Sequence, residues 1–131
     1  MSEPLWLDLA ELIAIHDEQI ALFGGGAGVR DLGLIESALL RPQQLDHYGG
    51  EEDLLTLAVR LGIGLAMNHG FIDGNKRTGA VAMIAFLALN GWRLDMPADD
   101  ETLGRWFEAV IEGRMGEAGL ADALAPFLAE V

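Results

Sequence analysis

Two almost wholly apolar stretches, 54–67 and 79–89, lie close together in the middle of this 131-residue chain. The first carries Leu54, Leu57, Ala58, Leu61, Leu65 and Met67 and predicts a helix over about 51–68 that is apolar on nearly every side. The second predicts a helix over about 75–89, closed by Asn90-Gly91, a pair compatible with left-handed backbone. Segments this apolar must be buried, and the connection of about six residues between them allows only a hairpin. Whatever joins them therefore sits at one end of the core.

The rest of the chain reads as helical, without a convincing polar/apolar alternation for a strand. A first helix is expected from about Leu7 to Leu22, with Leu9, Leu12, Ile13, Ile20 and Leu22 as its stripe and Gly24-Gly25-Gly26 as its stop. Asp31 caps a short helix that runs through Leu40 and ends at Pro42. Residues 42–53 then read as a loop able to cover a site or carry a short hairpin. Pro97 breaks the chain after the second apolar helix, and Asp100 or Thr102 starts a helix bearing Leu103, Trp106, Phe107 and Val110. A last helix is expected over about 117–128, bent at Pro126. The expectation is one all-α domain over 1–131, a bundle whose two buried central helices flank the connecting loop.

Charge narrows the function. With 21 Asp and Glu against 8 Lys and Arg, the net charge of -13 leaves no broad basic face for a nucleic-acid backbone. Cysteine is absent, which rules out disulfides, thiolate metal sites and thiol nucleophiles. The N-terminal residues lack the pattern of a signal peptide, and the longest apolar run, 79–89, is too short to span a membrane. A cytoplasmic location is the expectation.

Against this background the connecting loop stands out. It reads HGFIDGNKRT, residues 69–78, and holds the chain's only lysine. Lys76 and Arg77 fall in the first turn of the second helix, where cations oppose the helix dipole unless an anion is bound. The N–H groups of that turn form an anion site, and Gly74 lets backbone approach an oxyanion closely. Asp73 adds a carboxylate suited to Mg2+, which takes one or two protein carboxylates together with substrate phosphates. His69 supplies a proton acceptor. Taken alone, His69 reads equally as a solvated loop residue. The company of Asp73, Gly74 and the lone lysine favours a nucleotide phosphate site, with Phe71 and Ile72 anchoring the loop in the core. Other candidates read as structural: His16 as a packed or partly solvated residue of the first helix, Arg30-Asp31 as a local turn network, His47 and Tyr48 as loop residues, and Trp6, Trp92, Trp106 and Phe107 as packing.

The same ten residues resemble the signature of the Fic/Doc family, in the form used by its Doc (death-on-curing) branch. The resemblance extends over about 8–94, including the Gly-rich turn, Arg30-Asp31, Glu36-Ser37-Ala38 and the segment FLALNGW. It implies a compact helical bundle and protein modification with ATP and Mg2+. The implied roles are base for His69, metal ligand for Asp73, and phosphate binding for Gly74, Asn75, Lys76 and Arg77. Lys76 stands where the adenylyl-transferring branch carries a second glycine, which favours transfer of the terminal phosphate by a protein kinase. AMP transfer by the same residues, and a catalytically idle binding module, are the alternatives. For Doc relatives the resemblance implies a threonine of elongation factor Tu as substrate, blocked translation, and a separate Phd-like antitoxin. The chain carries no (S/T)-x-x-x-E-(G/N) inhibitory string of its own. Gly70 stands where proline is commoner, and a looser approach to His69 is its expected consequence.

Overall fold

The computed structural model describes residues 3–51, 53–96 and 101–131. Six helices are described: α1 Leu9–Phe23, α2 Leu32–Gly49, α3 Leu54–Asn68, α4 Asn75–Leu89, α5 Glu101–Ile111 and α6 Glu117–Leu124. A 3-10 turn, Ala125–Phe127, follows α6. Two short strands, β1 Trp92–Leu94 and β2 Leu128–Glu130, pair antiparallel with Arg93 opposite Ala129. The all-α expectation holds, with one small two-stranded sheet added to the bundle. Strands of three residues are too short to register as an alternation, and the 3-10 turn takes the place of the last turn expected of the C-terminal helix.

Local chemistry explains most helix ends. Asp8 and Glu11 form a reciprocal capping box at the start of α1. Asp31 caps α2 by accepting from Leu34 N–H. The helix does not stop at Pro42: it continues to Gly49, with Pro42 buried inside it. Proline inside a helix costs about 3 kcal/mol in isolation. Here its ring is packed in the core, and Leu45 beyond it also packs on the core, which offsets that cost. Most of the expected loop 42–53 is therefore helix, and His47 and Tyr48 lie in its last turn. The break expected at Pro97 and the helix start expected at Asp100 fall outside the described residues.

The core is built around α3, which is buried from Leu55 to Ala66 at ten of its positions and packs against α4, α2, α5 and α6. Its partner α4 buries Thr78, Gly79, Ala82, Met83, Phe86 and Leu87 and leaves Ile84 and Leu89 partly exposed. So α3 is covered nearly all round, while α4, which also meets α1, α5 and β1, keeps part of its surface open. The two cross at glycine on both sides. A Cβ on Gly62 would lie 2.9 Å from the Gly79 carbonyl oxygen, and one on Gly79 would collide with the Gly62 carbonyl oxygen. Only backbone fits between them, and this close crossing fixes where the loop joining α3 to α4 emerges.

On α1 the buried positions are Leu12, His16 and Gln19, while Leu22 and Phe23 are exposed. The inward face thus turns polar towards its C-terminal half, and Leu22 does not belong to it.

Candidate functional site

The loop between α3 and α4 is bracketed by two left-handed residues, His69 (φ 52°) and Gly74 (φ 74°). Histidine in this conformation stores strain of about 1–3 kcal/mol, which surrounding contacts must hold. They are present: Arg30 Nε donates to the His69 carbonyl at 2.7 Å, and Asn68 Nδ2 donates to the Leu34 carbonyl at 3.2 Å. Residues 28–31 also run antiparallel to 70–72. Arg30 N–H and Asp31 N–H donate to the Gly70 carbonyl, Ile72 N–H donates to the Gly28 carbonyl, and Val29 bridges Phe71. Arg30-Asp31 is thus the turn network the sequence suggests, and it is laid directly along the motif.

Gly70 is buried and closely packed rather than loose. Ile35 fills the space that a Cβ at this position would need. A side chain here would press on α2, which corrects the expectation of a looser approach to His69.

Asn75 turns its side chain back into the loop. It accepts from Phe71 N–H and donates to the Phe71 carbonyl, both at 3.0 Å. Phe71 is buried, whereas Ile72, expected in the core, is 58% exposed and lies over Gly26 and Gly28. Any part Asn75 takes in phosphate binding must therefore come from its backbone.

Asp73 is held at both oxygens. Gly74 N–H donates to Oδ1 at 2.8 Å, and Gly26 N–H donates to Oδ2 at 3.2 Å. These two bonds, helped by the charges of Arg77 and His16, hold the carboxyl below its ordinary range against a smaller opposing effect of desolvation. An ionised carboxylate has about four lone-pair sites, so capacity remains for a hard cation. The donor chemistry suits a divalent metal ion.

The triple-glycine turn emerges as part of the site. A Cβ on Gly25 would lie 2.7 Å from Asp73 Oδ2, and Gly25 has φ 116°. The sequence suggested this turn only as a helix stop. Gly74 likewise serves the packing: a Cβ there would point at Ile20, Arg77 and His16, 3.2–3.7 Å away, towards α1. Its absence lets the loop close on α1.

Among the described residues, no side chain caps the first turn of α4. Arg77 reaches back to α1, with Nη2 donating to the Gly24 carbonyl at 3.0 Å and the guanidinium carbon 5.3 Å from the Phe23 ring centre. Its Nε is buried without a partner among the described residues. Lys76 turns the other way, to α5, where Nζ meets Glu108 Oε1 at 3.2 Å. Sequence reasoning missed Glu108, since no local signal pairs residues 32 positions apart.

A cleft of about 410 Å³ brings together His69, Asp73, Gly74, Asn75, Lys76 and Arg77, with Ala66, Ile72 and Ile111 on its walls. Every residue given a base, metal or phosphate role in the motif meets there. His69 is exposed at this cleft. A second cleft of about 510 Å³ shares Lys76 and Arg77 and runs over Phe23, Ala80, Val81, Ile84, Leu94, Met96, Leu103 and Phe107.

The model of the Fic/DOC family matches residues 6–87, more than half of the chain and the whole of the motif loop. The chain belongs to the Fic/Doc family. Within it, two Doc proteins are similar to this chain. "Protein kinase doc" of Escherichia phage P1 is 34% identical over 116 residues, which cover 87% of this chain and 88% of that protein. "Toxin Doc" of Mycolicibacterium smegmatis is 45% identical over 74 residues, which cover 55% of this chain and 56% of that protein. The Doc branch of the family is thus the right frame for the loop. No helix among the described residues is long and apolar enough to cross a membrane.

Proposed function

We propose that this protein is a Doc-type toxin that moves the terminal phosphoryl group of ATP to a hydroxyl on a target protein. The observation that carries the proposal is the shared cleft: an exposed imidazole, a carboxylate held ionised, and an uncapped helix start with two cations meet in one loop. The name of the phage relative, a protein kinase, supports the same chemistry.

In this reading the target hydroxyl gives its proton to the His69 imidazole. Its oxygen forms the new bond to the terminal phosphorus, the bond from that phosphorus to the bridging oxygen breaks, and ADP leaves. A base of this kind typically contributes about 10²–10⁴-fold. Asp73 would hold Mg2+, which neutralises charge on the phosphates when bound. Backbone N–H groups of the first turn of α4, together with Arg77, receive phosphate oxygens. Lys76 joins them on exchanging Glu108 for phosphate.

A threonine of elongation factor Tu is the proposed target, as in the family branch, and blocked translation the consequence. A separate antitoxin is the proposed partner. The apolar cleft that adjoins the site through Lys76 and Arg77 offers a seat from which such a partner shields both.

One observation favours a second reading, AMP transfer. Lys76 is drawn to Glu108, so the lysine that argues against this chemistry is not inserted into the first turn of α4. Purified protein, target and ATP labelled at either the α or the γ position separate the two. Label arriving from the γ position is expected, and label from the α position alone contradicts phosphoryl transfer.

A further inference from the structure

Of the chain's three histidines, His16 has no part in the proposed transfer, yet it is only 1% exposed and lies under the motif. Its Nε2 is 2.8 Å from the Asp73 carbonyl oxygen. A carbonyl only accepts, so Nε2 carries the hydrogen. The ring stacks on Phe71, with centroids 3.8 Å apart and planes 6° from parallel. On the other side of the ring Nδ1 is 3.8 Å from the exposed Asp17 carboxylate, beyond hydrogen-bond reach. The contact with Asp73 is thus the polar bond that defines the ring's position.

Burying an imidazole costs free energy unless its polar atoms are bonded. An apolar side chain would fill the same space without that cost. What the imidazole adds is a directed bond to one peptide group, that of the residue whose carboxylate enters the cleft. Gly26, just beyond the C-terminal end of α1, holds the carboxylate of the same residue. Asp73 is therefore gripped from the α1 side at its main chain and its side chain.

We propose that His16 is a positioning residue for Asp73, fixing its peptide from α1 so that the carboxylate is aimed before cation or nucleotide arrives. The consequence for Mg2+ rests on the phosphotransfer reading; the contact itself does not. Outer residues that orient a metal ligand typically contribute about 10–100-fold to metal affinity or activity.

The contact is tested first in the protein without metal or nucleotide, by nitrogen NMR of labelled histidine. A slowly exchanging hydrogen on His16 Nε2 is expected. An Nε2 without hydrogen, or one exchanging as fast as free imidazole, overturns the proposal whatever the activity. Calorimetry with Mg2+ and ATP, and kcat and KM for Mg2+, then test the consequence in two variants. His16→Phe keeps the stack without the donor, and His16→Gln restores an amide donor near Nε2. A folded His16→Phe is expected to lose Mg2+ affinity about 10–100-fold, with His16→Gln recovering most of it. Wild-type affinity in His16→Phe, or no recovery in His16→Gln, overturns the proposal. If His16→Phe does not fold, the NMR result and His16→Gln decide between them. A wild-type protein that binds no Mg2+ with ATP removes the phosphotransfer reading, and the NMR result still decides the contact.

Discussion

Asn75 and Lys76 are neighbours in the first turn of α4, and they are held in opposite ways. Asn75 is locked into the loop by paired bonds to Phe71, beside an Asp73 gripped by Gly26, Gly74 and His16. Lys76 swings out to one ion pair with Glu108, both side chains about half exposed. An exposed pair of this kind is worth about 0–1 kcal/mol. The carboxylate side of the site is therefore built before any ligand binds, whereas its lysine is free to change partners at little cost. That division suits phosphoryl transfer, in which positioning and charge neutralisation supply most of the catalysis.

Substitutions on the built side should cost stability, and those on the lysine side should change ligand binding instead. The largest effect is expected under both, at the crossing of α3 and α4. Gly79→Ala puts a methyl group against the Gly62 carbonyl, and helix backbone cannot yield as a side chain can. A loss of about 3 kcal/mol or more is expected in chemical denaturation, the upper end of the overpacking range. Asn75→Ala comes next. It strands the N–H and carbonyl of buried Phe71 and should cost about 1–3 kcal/mol by the same measurement. A change of less than that would mean the loop is not clamped as described.

Asp73 gives a smaller effect with a defined pH dependence. Its folded pKa lies below the ordinary value of 3.8, so ionisation favours the folded protein. The stability advantage of wild type over Asp73→Asn, measured without metal, should be full above pH 3.8 and fade as pH falls through the lowered folded value. An advantage that instead grows on acidification contradicts the two N–H bonds. Smallest of all is Glu108→Gln. Stability should stay within about 0.5 kcal/mol, while affinity for ATP with Mg2+ rises roughly twofold to fivefold, the equivalent of losing one exposed ion pair. Weaker nucleotide binding in Glu108→Gln would mean that Glu108 positions Lys76 rather than competing for it.

Much of this was legible in the sequence where punctuation and periodicity agree. The bounds of α4 follow from Gly74 before it and Asn90-Gly91 after it, and the burial of α3 follows from its apolar residues on every side. Legibility failed where long-range packing overrides a local rule. Pro42 reads as a helix stop, yet it is buried within α2. Gln19 is polar, so the sequence leaves it off the inward face of α1 and places Leu22 there instead, although Gln19 is buried and Leu22 exposed. The glycine turn reads as an ending, and only its contacts with Ile72 and Asp73 reveal it as a wall of the site. The motif could name the residues that meet in the cleft. It could not say that Asn75 faces inward and Lys76 outward, because Phe71 and Glu108 decide that from elsewhere.

The most direct test of the central claim is the mass of the modified target. Elongation factor Tu is incubated with ATP and Mg2+ and either the wild-type protein or His69→Ala, then digested and mapped. One phosphate on a single threonine with wild type, and a loss of about 10²–10⁴-fold in its rate of formation with His69→Ala, is the predicted result. A nucleotidyl group on that threonine, or equal phosphorylation by His69→Ala, contradicts the account.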